Sequence, residues 1–483
     1  MKLLRPVILV QCFVLLLTAA MTVPSILLGM NSDSQVTIAF LSVAAACVIL
    51  AGAGFLVTRR ESLSVSSKQL YLITVSSWFV LGLVGATPLY LALPEVSFTD
   101  AVFESVSGIT TTGATVLTGL DTMPPSILLW RGLLQWIGGI GIIVLGIAIL
   151  PYLKIGGMRL FATESSDLSG KILPRAQVLI RNIGIVYLSL TLLAAVFYWL
   201  GGMGPFDAAV HAMTTLATGG YANYDASMGH FNNSPFILWT SSLFMLLGAL
   251  PFILYVSWLH GRPMALFADR QIRGFLTFVA VIVIFLTFER SYVAGTPLPE
   301  ALTHVTFNVI SIITTTGYAS QDYTQWGSWA VVVFFYLMFV GGCSGSTTGS
   351  VKFFRYQVSW VMLVNQLRLM RHPNGIFTYK YNGRPVTDDI IRSMIGFSFF
   401  FALTIAVLAL SLSLTGLDFL TSLSAAATAV ANVGPGLGDI IGPTGNFSSL
   451  SDAAKWLTCG GMLLGRLEIM TVVVLLTPTF WRT

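Results

Sequence analysis

The chain has 483 residues, of which 55% are hydrophobic and only 9% charged, and its mean hydropathy is +0.82. A soluble globular domain carries about 25% charged residues. The composition therefore excludes that class and leaves a polytopic membrane protein, with lipid as a partner and no nucleic acid expected. The net charge of +5 informs through its placement rather than its size.

Lys2 and Arg5 open the chain, followed by an uncharged run from Pro6 to Ser32. That run exceeds the roughly 7–15 apolar residues of a signal-peptide core and reads as a retained first span. Spanning helices need ~20 mainly apolar residues. Ten candidates meet this, at 6–30, 35–58, 69–93, 126–153, 177–201, 235–259, 274–293, 328–351, 394–415 and 455–480. Cys12, Cys47, Cys343 and Cys459 lie in apolar or Gly-rich segments without CxxC spacing, which gives neither a disulfide framework nor a zinc site.

The first two spans stand outside a repeat. Between the third and fourth lies a stretch too short to cross, 100–113, and the pattern recurs at 207–220, 300–317 and 418–434. Each is a half-length helix that begins near an acidic residue, where the helix dipole favours negative charge, and then runs into a Thr/Gly break. The predicted fold is an all-α polytopic membrane protein of four parallel span–pore-loop–span repeats around a pseudo-fourfold pore, plus two N-terminal helices. The divisions fall at 1–66, 67–153, 154–260, 261–372 and 373–483.

With a cytoplasmic N-terminus, ten spans place 21 of the 25 Lys and Arg residues on the cytoplasmic side, including Arg59, Arg60, Lys154, Arg159 and Lys171. Arg131, Arg290, Lys455 and Arg466 are the remainder. That bias satisfies the positive-inside rule and puts both termini in the cytoplasm. Thirteen of the 20 acidic residues fall outside or in the half-helices. They form either a vestibule that concentrates cations or simply solvated loops.

The four breaks are Thr110-Thr111-Thr112-Gly113, Ala217-Thr218-Gly219-Gly220, Thr314-Thr315-Thr316-Gly317 and Ala431-Asn432-Val433-Gly434, with their last glycines 107, 97 and 117 residues apart. Each half-helix points its C-terminal end, worth roughly −0.5 charge, toward the membrane centre. Irregular backbone at that depth survives only when buried in protein or lining a watery path, and rings of backbone carbonyls replace the water shell of a bare cation. The candidate ion-binding residues are therefore Thr111, Thr112, Gly113, Thr218, Gly219, Gly220, Thr315, Thr316, Gly317, Asn432, Val433 and Gly434. The fourth run lacks the Thr triplet, and a site of unlike quarters is expected to discriminate less sharply. Nine residues before each glycine stand Glu104, His211, Asn308 and Ala425. The first three are candidates to brace the filter by hydrogen bonds; a direct ion site is the alternative.

The segments ESVSGITTTGAT (104–115), ATGGYANY (217–224), SIITTTGYAS (311–320) and ANVGPGLGD (431–439) resemble the Trk/Ktr/HKT superfamily of potassium-translocating proteins. The two extra N-terminal spans make the chain most similar to its bacterial TrkH-type subunits. The resemblance covers essentially the whole chain. It implies K⁺ uptake across the bacterial cytoplasmic membrane, with K⁺ and Rb⁺ preferred over Na⁺ and K⁺ bound in the filter without an organic cofactor. It further implies a homodimer with a pore in each protomer, and a TrkA-type cytoplasmic nucleotide-binding regulatory subunit.

Two features interrupt the later spans. Residues 341–350, Gly-Gly-Cys-Ser-Gly-Ser-Thr-Thr-Gly-Ser, break a helix. They suit an intramembrane loop obstructing the pore, through Gly342, Gly345, Ser346, Thr347, Thr348 and Gly349; the resemblance implies such a gating loop. A small-residue packing patch is the alternative. Arg466 and Glu468 are ionisable residues in the last span, costly there and functional by default. Two positions apart on a continuous helix they would point about 200° apart. Arg466 is expected to face the pore below the filter, slowing cations or holding the Gly-rich loop, with Glu468 supporting the filter through a structural hydrogen bond elsewhere. An ion-coupled symporter is the competing function, although the quarters run parallel rather than inverted. A membrane-embedded enzyme is disfavoured, since HExxH, GxSxG and a phosphate-binding loop are all missing from the sequence.

Overall fold

The structure, a computed structural model, describes residues 3–30, 33–58, 66–145, 172–382 and 384–482. Lys2, Arg59, Arg60, Lys154, Arg159, Lys171 and the division expected at 153/154 lie outside the described residues.

Two N-terminal helices, α1 (Arg5–Gly29) and α2 (Ser34–Thr58), pack on each other, and α1 also packs on the first repeat. Four span–half-helix–span units follow. The first is α3 (Ser67–Ala92), α4 (Phe98–Ile109) and α5 (Pro125–Val144). The second is α6 (Ile172–Leu200), α7 (Pro205–Leu216), α8 (Pro235–Ala249) and α9 (Phe252–Leu259), followed by a short α10 (Met264–Ala268). The third is α11 (Arg270–Phe288), α12 (Leu298–Ile313), α13 (Ser328–Leu337) and α14 (Phe353–Arg371). The fourth is α15 (Asp388–Ser413), α16 (Phe419–Ala431), α17 (Asp452–Arg466) and α18 (Ile469–Leu476), with α19 (Pro478–Arg482) ending the chain.

The half-helices α4, α7, α12 and α16 start where the sequence supplies caps. The Ser97 side chain accepts from Asp100 N–H at 3.1 Å, and Asp418 accepts from Thr421 N–H at 3.1 Å. Those bonds from Thr421 hold the Asp418 carboxyl below the usual carboxylate range. Pro205 and Pro299 sit in the first turns of α7 and α12, where a missing N–H costs nothing.

Each half-helix packs on the preceding span of its own unit, and the second span of one unit packs on the half-helix of the next: α5 on α7, α8 on α12, and α17 back on α4. Lys455 of α17 also pairs with Asp100 of α4 at 2.6 Å. The third unit meets the fourth where Gly317 approaches the Val433 carbonyl, so the units are arranged in a closed ring in chain order.

Among the described residues seven helices are long and apolar enough to span by themselves, and two bent helix pairs could each form a further span. The spans expected at 235–259, 328–351 and 455–480 are therefore not continuous helices. The first bends by 89° between α8 and α9 at Pro251, which has no N–H to offer the helix. The third bends by 107° between α17 and α18 at Glu468, whose φ is +56°. Between them, α13 stops at Leu337 and the chain runs extended. There β1 (Val340–Gly341) pairs in parallel with β2 (Val351–Lys352) before α14 resumes. A small hairpin of β3 (Lys380–Tyr381) and β4 (Arg384–Pro385) precedes α15.

Candidate functional site

All four half-helices end in the same way. Thr111, Thr218, Thr315 and Asn432 are left-handed, with φ of +51°, +49°, +55° and +54°. The next N–H of each run then reaches back into the helix: Thr112 to Ser107 O (2.9 Å), Gly219 to Thr214 O (2.9 Å), Thr316 to Ser311 O (2.8 Å) and Val433 to Thr428 O (3.0 Å). This is a Schellman-type stop. A β-branched residue in the left-handed region is a genuine outlier, whereas Asn tolerates it. The fourth quarter therefore departs in sequence while keeping the backbone shape of the other three.

The glycines that follow, Gly113, Gly220, Gly317 and Gly434, have φ of +84°, +80°, +82° and +111°. A Cβ on Gly113 would strike the carbonyl oxygen of Gly219, on Gly220 that of Thr316, on Gly317 that of Val433, and on Gly434 that of Thr112. The four segments thus abut cyclically, each glycine against the carbonyl one residue before the glycine of the next quarter. The last contact is the loosest, at 2.8 Å. All twelve predicted filter residues are brought together here. Those with side chains are buried, including Thr112, Thr218, Thr315 and Asn432 at 0% exposure. Asn432 Nδ2 donates to Thr112 Oγ1 at 2.9 Å, tying the fourth quarter to the first.

Behind the ring lies a second repeated feature. The backbone N–H three residues past each ring glycine is held by a half-helix side chain. Val116 N–H donates to Glu104 (3.0 Å), Asn223 to His211 Nε2 (3.4 Å), Ser320 to Asn308 Oδ1 (3.2 Å) and Leu437 to Ser424 Oγ (3.0 Å). His211 Nδ1 lies 2.9 Å from Asp207 O, a carbonyl that can only accept, so Nε2 carries the free lone pair. Glu104, His211 and Asn308 thus occupy equivalent places. In the fourth quarter Ser424, one residue before the aligned Ala425, does what Ala425 has no atom to do. Ser424→Ala is expected to leave the Leu437 N–H buried and unpaired, costing about 1–3 kcal/mol. Thermal unfolding in detergent reads this directly, and an unchanged midpoint would remove Ser424 from the brace.

Sequence reasoning missed four further bracing residues. Arg131 of α5 donates from Nε to Glu104 at 2.7 Å and from Nη1 to Ala222 O at 3.0 Å. Gln135 donates to Gly219 O at 2.6 Å and accepts from Tyr221 N–H at 3.0 Å. The hydroxyls of Tyr221 and Tyr318, each just after a ring glycine, reach the half-helix of the preceding quarter at Glu104 O (2.6 Å) and Thr214 Oγ1 (2.5 Å). Arg131 did leave a signal, as one of the few bases that the sequence places off the expected cytoplasmic side.

The Gly-rich segment lies against the α8/α9 and α17/α18 breaks and against the ring. Thr347 donates from N to Gly248 O (3.2 Å), and its hydroxyl accepts from Thr218 Oγ1 (3.0 Å). Gly349 N–H donates to Thr315 Oγ1 (2.7 Å), and Gly345 O accepts from Phe252 N–H (2.9 Å). Thr348 Oγ1 accepts from Gly342 N–H (3.1 Å) and lies 2.9 Å from Ser346 Oγ. Arg466, buried at 2% exposure, donates from Nη1 to Thr347 O at 3.0 Å.

Glu468 differs from expectation. The helix ends at Arg466, so the two residues sit on helices bent apart, and the periodicity argument for a continuous helix does not apply. Glu468 bridges to Arg355 at 2.8 Å, and its carboxylate is not bonded to any filter segment among the described residues. It holds the α17/α18 break to the start of α14 instead of supporting the filter.

Comparison with known proteins agrees with this arrangement. A family model described as a cation transport protein, TrkH, matches residues 37–482. The Trk system potassium uptake protein TrkI of Halomonas elongata is 55% identical over 97% of this chain and 95% of its own length. The Trk system potassium uptake protein TrkH of Escherichia coli K12 is 37% identical over 88% of each chain. The crystal structure of the potassium transporter TrkH from Vibrio parahaemolyticus superposes with a TM-score of 0.91, at 34% identity, over 99% of both chains. By sequence and by architecture, then, the chain belongs to the TrkH family of cation transport proteins, a transport and not an enzyme family.

Proposed function

We propose that this protein takes up K⁺ through the ring formed at Thr111–Gly113, Thr218–Gly220, Thr315–Gly317 and Asn432–Gly434. The cyclic abutment of the four segments carries the proposal. It is supported by the potassium uptake named for the relatives and for the aligned crystal structure. A dehydrated cation at the ring exchanges water oxygens for backbone carbonyls, while four half-helix C-termini favour its positive charge. Left-handed Thr, Thr, Thr and Asn turn those carbonyls out of the helical ladder and make them available.

The Gly-rich loop, through Gly342, Gly345, Ser346, Thr347, Thr348 and Gly349, narrows the path beneath the ring, and Arg466 adds a positive charge there. At 4 Å and an effective dielectric of 20, two unit charges interact by about 4 kcal/mol. Removing this one is therefore a substantial change to the exit barrier. Arg466→Ala is expected to raise ⁸⁶Rb⁺ flux about tenfold, equivalent to about 1.4 kcal/mol. Well-folded protein with unchanged or abolished flux would sink the barrier role.

The four quarters correspond to 67–153, 154–260, 261–372 and 373–483, behind the N-terminal pair at 1–66. By family resemblance the protein lies in the bacterial inner membrane with both termini cytoplasmic, as a homodimer bound to a TrkA-type nucleotide-binding subunit, and prefers K⁺ and Rb⁺ over Na⁺. Purified protein in liposomes tests the core of this reading. Passive ⁸⁶Rb⁺ uptake down its own gradient supports conduction. A requirement for a proton or sodium gradient supports a symporter, and no flux under either condition overturns potassium transport.

A further inference from the structure

Between the Gly-rich loop and the α17/α18 break lies a cavity with about 30 Å³ of room for the centre of a water-sized molecule. Ser346, Thr348, Gly349, Lys352, Arg466 and Glu468 line it, and Phe397 and Phe401 close one wall. Among the described residues its charges do not balance. Glu468 is matched by Arg355 at 2.8 Å. That leaves Lys352 and Arg466, which are 7% and 2% exposed. Lys352 Nζ donates to Thr348 Oγ1 at 2.9 Å and to the Thr348 carbonyl, with Ser346 Oγ at 3.4 Å. Arg466 donates from Nη1 to Thr347 O and lies 6.0 Å from the Trp78 ring, while its Nε and Nη2 are buried with no hydrogen-bond partner among the described residues. Every hydrogen-bond partner of the two cations among the described residues is a neutral oxygen.

A buried charge is costly unless paired, and a buried N–H is costly unless bonded. Water entering the cavity would satisfy the donors but leave two like charges facing one space. An anion answers both needs, because Nε and Nη2 lie on one edge of the planar guanidinium fork and can grip a single acceptor together. Some 10–15 Å³ suffices for one water, so this cavity has room for a halide-sized anion.

We propose that the cavity is a binding site for one halide-sized anion, gripped by Nε and Nη2 of Arg466 with Lys352 supplying the second charge. Bound there, the anion screens the cationic barrier below the ring. That consequence rests on the conduction reading above, whereas the binding itself does not.

Bromide is the probe. Crystals of the full-length protein grown in bromide, with K⁺ held constant, are expected to show an anomalous peak beside the Arg466 guanidinium. In detergent, bromide at ten times its dissociation constant should raise the melting temperature by about 2 °C relative to gluconate. Arg466→Gln should abolish that rise, and Lys352→Met provides the second test should the first variant fail to fold. No anomalous peak in the cavity, or a rise retained in the variant that folds, overturns the site. In liposomes, replacing luminal chloride with gluconate should remove most of the ⁸⁶Rb⁺ uptake. A bromide peak in a protein without Rb⁺ flux would keep the site and refute conduction, while Rb⁺ flux without a peak would refute the site alone.

Discussion

Gly317→Ser is expected to lower K⁺/Na⁺ discrimination about tenfold, which corresponds to only about 1.4 kcal/mol of differential binding. Two effects push in that direction. Gly317 has φ of +82°, a region that costs an ordinary residue roughly 1–2 kcal/mol. In addition, a Cβ there meets the Val433 carbonyl oxygen and comes within 2.8 Å of Pro435 Cδ. Neither neighbour is a flexible side-chain tip, so the backbone of the fourth quarter must move, and with it a carbonyl of the ring. Gly113→Ser presses in the same way on the Gly219 carbonyl, which Gln135 holds from behind at 2.6 Å. The measurement is competition of ⁸⁶Rb⁺ uptake by K⁺ and by Na⁺ in liposomes. A folded Gly317→Ser protein with an unaltered ratio would count decisively against the ring as the selectivity element. The fourth quarter, where the glycine contact is loosest and φ reaches +111°, is where discrimination is expected to be weakest.

Much of this arrangement is legible in the sequence, because membrane burial makes polar and irregular residues conspicuous. A Thr/Gly run in an apolar stretch has few physical explanations, and four at one architectural position have fewer. The spacing of Glu104, His211 and Asn308 from their glycines found one layer of braces for the same reason. What stayed hidden depends on contacts between quarters. Gln135 is one amide in an apolar span, and nothing local says that it faces Gly219. Ser424 hid behind strict alignment on Ala425, since a neighbouring residue on the next helical position reaches the same N–H. The breaks show the two kinds of failure side by side. Pro251 was visible in the sequence and is sufficient to bend a helix. Glu468 in a left-handed conformation was not foreseeable, because its strain is held by the bridge to Arg355 and by the packing of two helices. The helical-periodicity argument for Arg466 and Glu468 then failed with the helix it assumed.

The Glu104–Arg131 pair carries the largest expected effect on folding. Both side chains are buried, at 0% and 1% exposure, and 2.7 Å apart. Thr115 Oγ1 donates to both carboxylate oxygens at 3.0 Å, Val116 N–H adds a bond at 3.0 Å, and the guanidinium lies 4.1 Å over the Tyr221 ring. One ion pair thus joins the first half-helix, its own filter return, α5 and the return of the second quarter. A buried pair adds little over a well-packed apolar substitute, but removing one partner leaves an uncompensated charge and costs about 3–5 kcal/mol. Arg131→Met should therefore destabilise strongly, because the Glu104 carboxylate keeps its neutral donors but loses the one cation it pairs with among the described residues. Glu104→Gln should be milder toward the filter, since an amide oxygen still accepts from Val116 N–H, yet it strands Arg131. The double variant is expected to recover part of the loss, giving a coupling energy well above the 0.5 kcal/mol typical of independent sites. Thermal unfolding of all four proteins in detergent reads the cycle, and ⁸⁶Rb⁺ competition by Na⁺ reads the filter separately. If Arg131→Met melts with the wild type, the pair is not what holds the first and second quarters in register. If the double variant is stable but selects poorly, the charges serve the geometry of the ring rather than the stability of the fold.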